Sequence, residues 1–123
     1  MAIAHFAFGS ALTILALTYL VPNVPYPRVL ALLGGIWAMI PDAHWISPVF
    51  ESQLDALHGS AWANVFWFHR ALDRTDTTDS KTVAVAFLAV LVVATVLAER
   101  RSYRALAPIR EYVEDSDTAS EEE

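Results

Sequence analysis

Two long, uninterrupted apolar stretches dominate the hydropathy pattern of this chain. Residues 2–21 (AIAHFAFGSALTILALTYLV) hold no formal charge apart from a protonatable His5. At 1.5 Å rise per residue, about 20 apolar residues cover the ~30 Å hydrocarbon core of a bilayer, so the pattern predicts a spanning helix. A cleavable leader would place a basic region ahead of the apolar run. Only Met1–Ala4 precede His5, with no Lys or Arg, so the helix is expected to stay in the mature chain. Residues 82–98 (TVAVAFLAVLVVATVLA) form the second stretch. Valine suits strands, but 17 continuous apolar or Thr positions are too many for one, and Glu99-Arg100-Arg101 closes the run at a water interface.

The pattern between these stretches is broken. Pro22, Pro25 and Pro27 mark a tight, extended connection. Val29 to Ile40 is an apolar run of 12 residues that halts at Pro41-Asp42. At roughly 18 Å of helix it falls short of a full crossing. A second short segment, Ala56 to Phe68, is interrupted by His58 and Asn64. Side by side the two predict a short central hairpin whose inner ends lie below the membrane surface. The competing reading is a pair of amphipathic core helices packed on the long spans.

Residues 70–81 form a polar loop of mixed charge. After Arg101, Tyr103, Leu106, Ile109 and Val113 recur at helical spacing and predict an amphipathic helix in the interface, kinked near Pro108. The fold class expected is therefore all-α, a multi-pass helical membrane protein of about four hydrophobic segments. Its parts are a transmembrane helical domain over 1–98, a juxtamembrane helix over 99–113 and a disordered acidic tail over 114–123. Four spans put the N-terminus, the 47–54 loop and the tail on one side. The positive-inside count ties at four bases a side, and the Arg100-Arg101-Arg104 cluster at a helix end tilts the expectation to a cytoplasmic C-terminus.

Composition agrees with a cell-membrane location. Of 123 residues 55% are apolar and 18% charged, with a mean hydropathy of +0.39, against about 25% charged in an ordinary soluble domain. The net charge of −6 arises in the tail, where Glu114, Asp115, Asp117, Glu121, Glu122 and Glu123 cluster. The neutral body excludes a basic nucleic-acid surface. The absence of cysteine excludes disulfides, a thiolate nucleophile and Cys-type zinc sites. Seven Arg against one Lys, with the acidic tail, give the composition a halophile-like character.

Ionisable residues in or beside apolar segments are expensive and are site candidates by default. Here they are His5, Asp42, His44, Glu51, Asp55, His58, His69 and Asp73. Alternating spans bring the first six toward one membrane face. His5, Asp42, His44 and His58 match the nitrogen and oxygen ligand set of a divalent metal, with Zn²⁺ the foremost candidate. Asp55 and Glu51, at i and i+4, are candidate general bases. Each residue also has a structural reading: Pro-Asp as a helix terminator, His44-Trp45 as an interface anchor, Glu51 and Asp55 as a solvated helix face. If the third segment is one helix, His58 and His69 lie about 16 Å apart along it and cannot share a metal. That reading puts His69 at the opposite interface. No phosphate-binding loop is present, since Gly34-Gly35 lacks the accompanying Lys and Ser/Thr. A haem between His5 and His58 is disfavoured by Asp42 beside His44, since a dry haem pocket gains nothing from a carboxylate.

Three short elements carry a family resemblance: His5-Phe6-Ala7-Phe8-Gly9, Pro41-Asp42-Ala43-His44 and His58-Gly59-Ser60. Together they resemble the YdjM-like family of membrane-bound metal-dependent hydrolases. That family has a His near the N-terminus with a small residue four on, a Pro-Asp-x-Asp-His element and an Arg-Gly-x-x-His-Ser element. His44 stands where the family has its second Asp, no Arg precedes His58, and Gly59 parts His58 from Ser60. The resemblance covers residues 5–60 and implies a metal-dependent hydrolase in the membrane. The function expected is hydrolysis of an ester or phosphoester near the membrane interface. The alternative is a non-enzymatic membrane adaptor whose C-terminal tail recruits a protein partner.

Overall fold

The computed structural model describes residues 2–101 in full. The side chains of the acidic tail over 114–123, and of all but the first residues of the helix expected over 99–113, lie outside them. Every regular element among the described residues is helical: α1 (Ala2–Leu20), α2 (Pro27–Met39), α3 (Glu51–His58), α4 (His69–Thr75) and α5 (Lys81–Glu121). Short 3-10 turns cover Ile40–Trp45 and Ala61–Val65. Two helices are long and apolar enough to cross a membrane, α1 and the Lys81–Arg101 part of α5. The third apolar segment of the sequence is too fragmented to do so, being split between α3, a 3-10 turn and the approach to α4.

α1 packs against both α2 and α5, and its contact surface is built from small residues. Ala4, Ala7, Gly9, Ser10 and Ala11 are buried on α1, and Ala31, Gly35 and Ala38 on α2. A Cβ at Gly9 would come 2.5 Å from the Ala38 Cβ and 2.8 Å from the Gly34 carbonyl oxygen, so α1 and α2 meet at backbone range. The large apolar residues point outward instead, among them Leu32, Leu33 and Ile36 on α2 and Val85, Val92 and Val93 on α5. Small inside and large apolar outside is how helices pack in lipid, where close backbone approach holds them together.

Phe8 touches Phe87, and Arg101 sits 4.8 Å over the Tyr19 ring. α1 and α5 therefore run in the same direction, with α2 antiparallel between their ends. This corrects the expected sidedness: the N-terminus and the Arg101 end of α5 lie at opposite ends of the bundle. Among the described residues two helices are long and apolar enough to cross, and a four-span topology is not confirmed.

Residues 40–80 cap the N-terminal end of α1. Pro41 has no N–H to offer the Trp37 carbonyl, so α2 cannot continue as an α-helix and tightens into the 3-10 turn that carries Asp42 and His44. After α3 the chain reverses through Trp67 and Phe68, both left-handed at φ 51° and 59°. Non-glycine residues hold that backbone only where neighbours enforce it. Here Trp37 Nε1 donates to the Val65 carbonyl at 3.2 Å, the Trp37 and Phe66 rings lie 4.8 Å apart, and Ala71 N–H donates to Asn64 Oδ1 at 2.9 Å.

Candidate metal centre

The reversal delivers α4 onto the end of α1, and five side chains from four segments meet there. His5 comes from α1, Asp42 from the 3-10 turn, His58 from the end of α3, and His69 and Asp73 from one face of α4. Asp42 Oδ2 lies 3.5 Å from His5 Nδ1, and its Oδ1 lies 3.3 Å from His69 Nε2 and 3.6 Å from His58 Nδ1. Asp73 Oδ1 lies 3.1 Å from His5 Nε2, and its Oδ2 lies 3.5 Å from both His58 Nε2 and His69 Nε2. Two triads, His5–Asp42–His69 and His58–His69–Asp73, each bring their ligand atoms within 4.8 Å of one another, a spacing that a metal ion can fill.

Backbone carbonyls orient two of the imidazoles. His69 is fully buried, and its Nδ1–H donates at 2.8 Å to the Ala38 carbonyl, in the last turn of α2 where the helical ladder leaves carbonyls without partners. Its Nε2 is directed at both carboxylates; in the protonated ring it donates to Asp42, and in the neutral ring it is the lone-pair nitrogen open to a metal. His44 is set the same way, with Nδ1–H donating to the Pro41 carbonyl at 2.8 Å. A carbonyl behind the imidazole fixes tautomer and ring direction, as is usual behind metal-binding histidines.

The cage is electrostatically coupled. Burial works to raise the pKa of Asp42. The hydrogen bond from His69 and the charges of His69, His5 and His58 outweigh it, so the carboxyl lies below its ordinary value. Burial works to lower that of His69. Its hydrogen bonds with Asp42 and the Ala38 carbonyl and the charges of Asp42 and Asp73 prevail, and the imidazole lies above its ordinary value.

Of the ligands expected from sequence, His5, Asp42 and His58 come together. His44 stands a step outside, its ring 4.9 Å from that of His58 and its Nε2 3.8 Å from Asp55 Oδ1. Asp55 thus joins the site through His44, while Glu51 is exposed at the start of α3 and enters none of these contacts. His69 is the correction. A continuous helix over 56–68 would hold it far from His58, whereas the broken backbone brings His69 Nε2 within 3.3 Å of His58 Nδ1. Asp73 comes with it. Two signals in the sequence point this way: Gly59 and Asn64 interrupt the segment, and His69 and Asp73 share a helix face at i, i+4.

No family model, curated protein or solved structure matches this chain.

Proposed function

We propose that the protein is a multi-pass, membrane-bound metal-dependent hydrolase that cleaves an ester or phosphoester at the membrane interface. One observation carries the reading: three imidazoles and two carboxylates converge, from four separate segments, at the end of an apolar helix bundle. Bringing so many ionisable groups together beside apolar helices is costly without a function to use them. Further support comes from the three elements that resemble the YdjM-like family, each of which contributes to the cage or to its edge: His5, then Asp42 and His44, then His58.

Nitrogen and oxygen donors of this kind suit zinc or another first-row divalent ion. His5, Asp42, His58, His69 and Asp73 would hold it. The ion supplies Lewis acidity toward the scissile group and makes water a better acid. Asp55 is 72% exposed and reaches the cage through His44; its carboxylate would serve as the general base toward water. His44, tethered to the Pro41 carbonyl, keeps its Nε2 facing that carboxylate at 3.8 Å. The outward apolar faces of α2 and α5 would leave the lipid surface as the source of substrate.

The test is metal content followed by turnover. The full chain, purified in mild detergent with a tag other than oligohistidine, is analysed by mass spectrometry for bound metal. It is then assayed on p-nitrophenyl esters and phosphodiesters. The reading expects at least one equivalent of divalent metal and turnover lost in His69→Ala. Less than about a tenth of an equivalent, unchanged in that variant, would favour the non-enzymatic adaptor.

A further inference from the structure

Asp42 and Asp73 divide their oxygens in the same way. Each turns one oxygen toward His5, Asp42 at Nδ1 and Asp73 at Nε2, and the other toward the His58–His69 pair, which sets a divide through the cage with His5 on one side. On one side lie His5, Asp42 Oδ2 and Asp73 Oδ1; on the other lie His58, His69, Asp42 Oδ1 and Asp73 Oδ2. We propose that the cage holds two divalent cations, bridged by Asp42 and Asp73, one on each side of that divide.

This inference rests on the metal-dependent reading and adds to it the number of ions and the role of each carboxylate. A single zinc ion takes about four ligands, fewer than the nitrogen and carboxylate oxygen donors gathered here. Placed beside His5 it would leave His58 and His69 facing carboxylate oxygens without a cation; placed beside them it would strand His5. Two ions use the whole set. The two ligand triads overlap only at His69, whose Nδ1 is committed to the Ala38 carbonyl, so its one remaining nitrogen serves a single ion. The Asp42 and Asp73 carboxylates then act as the shared ligands. Bridging carboxylates hold paired ions about 3.5–4 Å apart, the separation used by two-metal hydrolases. The His58–His69 side then has four protein donors, and the His5 side, with fewer, would leave a place for a water or a substrate oxygen.

Stoichiometry decides it. The full chain in detergent is stripped with chelator, reconstituted with Mn²⁺, freed of excess ion and examined by mass spectrometry and by electron paramagnetic resonance. Two equivalents with an exchange-coupled multiline signal support the pair. One equivalent with the spectrum of an isolated ion overturns it and leaves the hydrolase reading standing, whereas less than about a tenth of an equivalent removes both. Asp73→Asn, at a half-exposed position on α4, is expected to fall from two equivalents to one and to lose the coupling. If it retained two coupled ions, Asp73 would not be a bridge; if it failed to fold, the wild-type stoichiometry still decides.

Discussion

The imidazole of His69 lies flat against that of His5, with ring centroids 3.9 Å apart and planes inclined by 21°. Asp42 and Asp73 flank the stack and each reaches both rings. Two stacked imidazoles repel one another when both are charged, and the flanking carboxylates offset that repulsion.

Without metal, stability should therefore depend on pH from two sides. The raised pKa of His69 means that its contribution is complete below its ordinary value of 6.5 and is lost as the pH climbs through the raised value. The lowered pKa of Asp42 means that its contribution is complete above its ordinary value of 3.8 and is lost as the pH falls through the lowered value. Chelator-treated protein, followed by tryptophan fluorescence on heating, should melt highest between these two ordinary values. Divalent metal should abolish the alkaline loss, because the ion takes the place of the proton. A melting temperature that stays flat from mildly acidic to alkaline pH in chelator would contradict this.

Ligands and neighbours should separate in a metal titration. Wild-type protein at a metal concentration of 100 times Kd gains about 2.7 kcal/mol from binding. His69→Ala should gain almost none of it and His5→Ala clearly less than wild type, while Glu51→Gln should behave as wild type. His44→Gln, altering a residue at the cage edge, should weaken affinity by about 10- to 100-fold. Full stabilisation of His5→Ala would reduce His5 to an interface residue.

The close approach of α1 and α2 should be intolerant of one methyl group. Gly9→Ala forces a Cβ against the Ala38 side chain and the Gly34 backbone, and overpacking of this kind costs about 1–3 kcal/mol. Because α1 carries His5, the same change should weaken metal binding. Gly59→Ala is the control: its Cβ would meet nothing nearer than 3.7 Å, so thermal unfolding should be nearly unchanged.

Solvent access should differ sharply along the cap. A cysteine replacing half-buried Ala43 should react slowly with a bulky, membrane-impermeant maleimide, and one replacing exposed Thr77 should react fast in open membranes. Rapid labelling at both positions would put the 3-10 turn in open water.

The amino-acid sequence by itself determined the elements whose cause is local. An unbroken run of apolar residues can satisfy its backbone polar groups only as a helix in an apolar setting, so α1 and the apolar part of α5 are legible from hydropathy alone. The stop at Pro41 is legible too, because a missing N–H acts on its own turn. Likewise His5, Asp42 and His58 stand out as polar residues beside apolar ones. Other features depended on contacts between distant segments. The direction of α5 relative to α1 rests on Phe8 meeting Phe87 and Tyr19 meeting Arg101, which no periodicity encodes. His69 and Asp73 enter the cage only because Trp67 and Phe68 adopt left-handed backbone, a state unfavourable locally and held by Trp37 reaching across from α2. Helical spacing would place His69 a full segment away from His58, and tertiary packing, by bending the chain against its local preference, put the two in contact.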